Sequence, residues 1–265
     1  MKIGFFLTAR LGSSRLPRKH LLEATGVALL EVLIRRISSA FADDIESGMA
    51  EIVIVTSDEA ENREFERFSN FGVKTFYGSK QNIPRRHLEA AQALGVDIIV
   101  AVDGDDILCS AVAMRAVRDA LVNGEDYAKS SGLPLGVNAF GYRCGFLTAA
   151  VHGNEDKVLE TGWGYIFDAS RLVDHAMQLS CPTPDNLRFT LDYPEDLEFF
   201  RRIVEHFGDR IFTVPDEEIV SYVIDCKLFE ITDPISEKYW NNFRDVQQAE
   251  MSRDTSAGNQ HALDR

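Results

Sequence analysis

The run Ile3 to Thr8 opens the chain as an apolar strand, and from there β-rich runs alternate with segments of helical period. A helix is predicted from Leu29 to Phe41, a strand from Glu51 to Thr56, a helix from Glu61 to Phe71 and a strand from Val73 to Tyr77, in the order βαβαβ. In the first helix Leu30, Leu33, Ile34, Ile37 and Phe41 fall on one apolar stripe, which suits burial against a sheet. A third helix, from about Arg85 to Leu94, leads into Asp97 to Val102, a nearly continuous apolar run that predicts a central parallel strand buried on both faces.

This alternation predicts an α/β fold, a doubly wound and mostly parallel sheet of Rossmann-like form, with ligands bound beyond the carboxyl ends of its strands. The nucleotide-binding core is placed at residues 1–126. From 127 to 184 the periodicity weakens and glycines accumulate, which reads as an inserted lobe for acceptor binding or dimerisation. The core pattern resumes over 185–246, with a strand at Leu187 to Leu191, a helix at Pro194 to Phe207 and a short strand at Ile211 to Val214. The polar stretch 247–265 reads as a flexible tail.

A length of 265 residues with 45% hydrophobic content suffices for a full core, and no apolar run approaches the roughly 18 residues of a membrane span. The N-terminus passes directly into a patterned strand, so a cytoplasmic location is expected, with no membrane insertion. A net charge of -14 argues against nucleic acid as a partner. Cys109, Cys144, Cys181 and Cys226 form no C-x-x-C pair, and the six histidines form no H-E-x-x-H, so neither pattern suggests a metal or redox site.

Against that acidity, the loop after the first strand carries Arg10, Arg15, Arg18 and Lys19 with no acid among them. Gly12 permits a tight turn, and Ser13 and Ser14 add hydroxyls and amides, so the loop suits phosphoryl oxygens. It has the glycine spacing of neither a P-loop nor a dinucleotide fingerprint. Ala9 to Leu21 closely resembles the A-R-x-G-S-x-R-L-P-x-K-x-L signature of the sugar-activating cytidylyltransferases, which include the CMP-Kdo and CMP-sialic acid synthetases and the spore-coat polysaccharide protein F group. The resemblance implies the nucleotide-diphospho-sugar transferase type of fold and a loop that wraps the triphosphate of CTP, with Arg10 and Lys19 holding phosphates.

Two acidic segments resemble the same family in the same order. Asp103-Gly104-Asp105 follows the central strand, and Asp192 to Leu197 reads D-Y-P-E-D-L. By resemblance Asp105 and Asp192 are Mg²⁺ ligands, and Asp103 lies near the nucleotide. Glu195 and Asp196 also suit the positive end of the following helix. Thr56, Ser57, Gly78 and Ser79 resemble family positions that face the base. The segment Gly78 to His87 departs from the related G-S-x-x-D-V-L-x-R-Y pattern at Asn82 and Pro84.

The implied reaction is transfer of CMP from CTP to a sugar acid or related acceptor with release of pyrophosphate, for surface polysaccharide or glycoconjugate biosynthesis. Arg10, Lys19, Asp105 and Asp192 would be catalytic, and Ala9, Gly12, Ser13 and Arg15 would complete the nucleotide cradle. In the insert Arg143, Lys157, Trp163 and Tyr165, with Glu160 and Thr161, form a candidate acceptor wall, because sugars stack on aromatic faces and an acidic sugar needs a cation. A homodimer is expected from the family. Two alternatives stay open: a GT-A glycosyltransferase, whose Asp-x-Asp is satisfied by Asp103-Gly104-Asp105, and a non-catalytic nucleotide-binding relative.

Overall fold

The computed structural model describes residues 1–263, with side chains described as far as Glu250. In chain order its strands are β1 (Ile3–Thr8), β2 (Glu23–Ala24), β3 (Val27–Ala28), β4 (Ala50–Ser57), β5 (Lys74–Gly78), β6 (Ile98–Asp103), β7 (Tyr127–Ser131), β8 (Phe140–Arg143) and β9 (Leu172–Ala176). The helices are α1 (Leu29–Ala40), α2 (Ala42–Glu46), α3 (Ile83–Leu94), α4 (Ala111–Val122), α5 (Cys144–Val151), α6 (Pro194–Phe207), α7 (Asp216–Asp225) and α8 (Asp233–Leu263). The predicted helix at 61–71 is wound as 3₁₀ turns over Ala60–Phe71.

Seven strands form one sheet in the order β5-β4-β1-β6-β8-β7-β9. The first four are parallel, β8 runs antiparallel to both β6 and β7, and β9 is parallel to β7. After β1 the chain builds β4 and β5 outward on one side, then returns to place β6 on the other side of β1. The crevice at that reversal, between the ends of β1 and β6, is where an open α/β sheet binds its ligand.

Alternation along the strands divides the core. Phe5, Leu7, Ile52, Ile54, Val100 and Val102 face α1 and α4, while Phe6, Val53, Val55, Ile99 and Ala101 face α3 and α5. The predicted stripe of Leu30, Leu33, Ile34, Ile37 and Phe41 lies in the first of these clusters. A third cluster joins α6 and α7 to Leu29 and Val32 on the reverse side of α1.

The segment 127–184, expected as an inserted lobe, instead supplies β7, β8 and β9 to the main sheet. Its strands are only four or five residues long and mix polar with apolar side chains, so they lack the long apolar runs of β1 and β6 by which a core strand is recognised. Leu187 to Leu191 is no ladder strand: it meets the sheet side of the molecule through a bridge between Leu135 and Arg188 and a bond from the Phe189 amide to the Leu135 carbonyl at 2.7 Å. The expected strand at Ile211 to Val214 is likewise replaced by 3₁₀ turns over Gly208–Phe212. Of the expected tail 247–265, residues 247–263 continue α8, and Glu250 is buried. The last two residues of that tail, Asp264 and Arg265, lie outside the described residues.

Candidate active site

The loop after β1 is anchored at its root by apolar and buried polar groups. Leu11 and Leu16 are buried, the Leu11 amide donates to Asn62 Oδ1 at 2.9 Å, and the Arg18 amide returns to the Leu11 carbonyl at 3.1 Å. Arg18 itself has left-handed backbone geometry, with φ 57°. That turn sends the Arg18 side chain outward to a forked pair with Glu64, 2.6 Å at its first arm, and leaves Lys19 facing inward.

Lys19 is buried, and its Nζ lies 2.6 Å from Asp105 Oδ2 and 3.0 Å from Asp192 Oδ1. Arg15 pairs with the same Asp192 oxygen. Burial opposes the charge on Lys19, but Asp105 and then Asp192 outweigh it and hold its pKa above the ordinary lysine value. Burial likewise opposes the charge on Asp192, and Lys19 and Arg15 prevail, keeping its carboxyl below the usual range. One ammonium thus joins two motifs that are far apart in sequence.

Each acid is placed by backbone bonds. Gly104 carries no side chain where the β6 loop crosses β1: a Cβ there would stand 3.0 Å from both Ala9 Cβ and the Thr8 carbonyl oxygen and 3.1 Å from His20 Cδ2. Asp192 is held from behind by Asp196, whose Oδ2 accepts from the amides of Asp192 and Tyr193 at 2.9 and 2.8 Å. Arg188, buried, pairs with the other oxygen of Asp196 and lies 4.7 Å from the centre of the Tyr239 ring. The first-turn acid read from sequence as a helix-dipole partner therefore also orients Asp192.

Burial, and next Asp105, push the Asp103 carboxyl up to about 7, and the same two causes drive Asp106 well above the ordinary aspartate value. His20, with Nδ1 3.1 Å from the Arg10 carbonyl and Nε2 buried without a hydrogen-bond partner, is lowered to about 4 by burial and then by Lys19.

These groups surround a cleft of about 490 Å³. Ala9, Arg10, Gly12, Ser13, Arg15, Lys19, Asp103, Asp105 and Asp192 all line it, so the cationic loop and both acidic motifs converge on one cleft. Arg10 crosses the mouth to Glu160 Oε2 at 2.5 Å.

The proposed base-contacting residues do not line the cleft. Thr56 and Ser57 are buried, and Ser57 is committed to a network in which Asn62 donates to its hydroxyl at 2.9 Å and it donates to Glu59 at 2.8 Å. Gly78 and Ser79 stand behind Arg86, which donates to the Ser79 carbonyl at 2.7 Å and does line the cleft. Arg86 is buried with no carboxylate partner among the described residues; burial, followed by Arg10, lowers it to about 10. Asn82, a departure from the family pattern, caps α3 by accepting from the Arg85 amide at 2.9 Å and donates to the Asn154 carbonyl at 2.8 Å.

Of the acceptor candidates, Trp163 lines the cleft while also packing in an aromatic cluster with Phe140, Tyr142 and Phe167. Glu160 and Thr161 line it too. Arg143 does not: antiparallel β8 pairs it with Ile98, at the amino end of β6 and hence the opposite edge of the sheet, where it donates to the Leu121 carbonyl at 3.1 Å. Lys157 and Tyr165 also lie outside the cleft lining. Sequence reasoning missed Tyr239, Asn242, Phe243 and Val246, one face of α8 that closes the cleft. Their apolar-polar spacing resembles that of any surface helix, so no local signal marks them.

Residues 5–150 match the family model described as cytidylyltransferase. The chain belongs to the cytidylyltransferase family. This member shares 26% identity with the spore coat polysaccharide biosynthesis protein SpsF of Bacillus subtilis, across 78% of this chain and 88% of that one. It is 33% identical to 3-deoxy-manno-octulosonate cytidylyltransferase 2 of Hydrogenovibrio crunogenus over 44% of this chain and 46% of the relative. Among solved structures, a cytidylyltransferase from Leptospira borgpetersenii superposes with a TM-score of 0.72 at 18% identity, covering 86% of this chain and 95% of that one. Membership makes the cytidylyltransferase a CTP-using nucleotidyltransferase, and the glycosyltransferase alternative loses its ground. No described helix is long and apolar enough to cross a membrane.

Proposed function

We propose that this cytidylyltransferase transfers CMP from CTP to a hydroxyl of a sugar acid or related acceptor, releasing pyrophosphate, in surface polysaccharide or glycoconjugate assembly. The observation that carries this reading is the placement of Lys19 between Asp105 and Asp192 in a cleft that also holds Arg10 and Arg15. A triphosphate repels an oxygen nucleophile until its charge is offset. Arg10, Arg15 and Lys19 offset it on the β and γ groups and hold the leaving pyrophosphate in line. The acceptor oxygen bonds to the α-phosphorus, the bond from that phosphorus to the β-bridging oxygen breaks, and the acceptor proton passes to solvent.

The donor set suits Mg²⁺. Asp105 and Asp192 turn their carboxylates toward one point, where the Lys19 ammonium now bonds an oxygen of each, and Mg²⁺ is commonly held by one or two carboxylates together with substrate phosphates. Among the described residues no group of three or more metal-ligating side chains gathers, so the nucleotide would complete the shell. When bound, Mg²⁺ polarises the α-phosphoryl group and neutralises developing charge on the leaving group.

For the acceptor, Trp163, Phe243 and Val246 offer apolar surface beside Glu160, Thr161 and Asn242, a mixture suited to a sugar with one apolar face and a rim of hydroxyls. Those walls lie outside the segment that matches the family model, so acceptor choice would reside in residues particular to this branch. The four cysteines are unbridged, as suits a cytoplasmic enzyme, and the family resemblance supports a homodimer as part of this reading.

The test is a thermal-shift panel of CTP, UTP and UDP-sugars with and without Mg²⁺, followed by pyrophosphate release with keto-sugar acids, sugar phosphates and phosphonates. Stabilisation by CTP with Mg²⁺ and pyrophosphate release with one acceptor class are expected. CTP binding with no release across the whole set would favour the non-catalytic relative.

A further inference from the structure

We infer that Lys19 is an internal stand-in for the metal: in the nucleotide-free protein its ammonium occupies the position between Asp105 and Asp192, so a divalent cation enters only together with the triphosphate. The inference rests on the reading of Asp105 and Asp192 as metal ligands.

Lys19 Nζ is bonded to both carboxylates, and Arg15 adds a second cation to Asp192 Oδ1. Two fixed positive charges thus stand against the two carboxylates that a metal would use. A divalent ion arriving alone must pull those carboxylates from Lys19, and the ammonium is buried, so it would lose its partners without regaining water. It would also bring two more positive charges into a cluster already furnished with counter-ions.

A triphosphate changes both terms. Its oxygens give Lys19 and Arg15 new acceptors, and its negative charge compensates the incoming ion. Metal and nucleotide therefore favour each other's binding by one shared factor, as linkage requires, and Lys19 is the residue through which that factor acts. The device keeps the acids from being saturated by free Mg²⁺ and makes the metal complex of CTP the form that loads.

Mn²⁺ serves as the probe, because bound and free ion differ in their electron paramagnetic resonance signal. Without nucleotide, the wild-type protein is expected to bind Mn²⁺ weakly and Lys19→Met to bind it about tenfold or more tightly, with Lys19→Met/Asp105→Asn losing the gain. Lys19→Arg, which keeps the cation, is expected to stay weak; it also provides a folded control should Lys19→Met unfold on heating. Adding CTP to the wild type should produce a protein-bound Mn²⁺ signal distinct from that of the Mn²⁺–CTP complex alone. Tight nucleotide-free binding by the wild type, abolished in Asp105→Asn, would overturn the stand-in role while leaving the metal ligands in place. Absence of any protein-bound Mn²⁺ with CTP would overturn the metal reading itself.

Discussion

The backbone N–H of Leu191 donates to the carbonyl oxygen of Asp105 at 3.0 Å. That bond joins the loop after β6 to the segment before α6, at one proposed metal ligand, Asp105, and at the residue preceding the other, Asp192. Their separation is therefore set by the backbone and then closed by Lys19, whose two carboxylate bonds span the same gap.

Asp105→Asn keeps the shape of the side chain while removing the charge. Pyrophosphate release is expected to fall about 100-fold or more, with the thermal unfolding profile largely retained, because this loss acts on developing charge in the transition state. Near-normal release would remove Asp105 from its role.

Arg10 must leave Glu160 before it can meet a phosphate, and the pair is exposed enough for solvent to screen it. Glu160→Gln is expected to tighten CTP binding, by about two- to fivefold given the small worth of exposed pairs. Calorimetric titration of CTP with Mg²⁺ checks it, and unchanged or weakened binding would show that the pair does not compete with nucleotide.

Arg188 and Asp196 are a buried pair, both nearly inaccessible to solvent. Arg188→Met leaves the Asp196 carboxyl in the interior without its guanidinium, a loss of about 3–5 kcal/mol by the usual cost of breaking such pairs. Urea unfolding measures it. In protein that remains folded, turnover should fall more than CTP affinity, since Asp196 orients Asp192 through its amide.

His87 sits between Thr8 Oγ1, 2.8 Å from its Nε2, and the Tyr142 hydroxyl, and burial followed by Arg86 lowers its pKa to about 3. Its unfolded value is about 6.5, so the unfolded chain takes up the proton first as pH falls. The stability contributed by neutral His87 is present above pH 6.5 and is lost progressively as pH falls toward 3. His87→Gln should flatten the decline of unfolding free energy between pH 7 and pH 5; an unchanged slope would assign the acid lability to other groups.

The local chemistry and the parallel half of the sheet were legible from the chain. The Leu30 to Phe41 stripe, the apolar runs that became β1 and β6, and the cationic loop each carry their signal within a few consecutive residues. Short β7, β8 and β9 carry none of comparable strength, because pairing with neighbours, rather than a long apolar run, makes them strands. For the same reason Arg143 was misplaced: antiparallel β8 carries it to the far edge, and strand direction is not written in a four-residue segment.

The sequence by itself determined that a cationic loop and two acidic motifs exist and in what order, since turn chemistry and fixed charge are properties of neighbouring residues. Only the tertiary structure decided that Lys19 closes on Asp105 and Asp192, that Arg86 and not Thr56 or Ser57 reaches the cleft, and that α8 forms a wall of it. Those outcomes depend on distances between residues remote along the chain, which are set by how the sheet reverses direction and by which charges burial forces to pair.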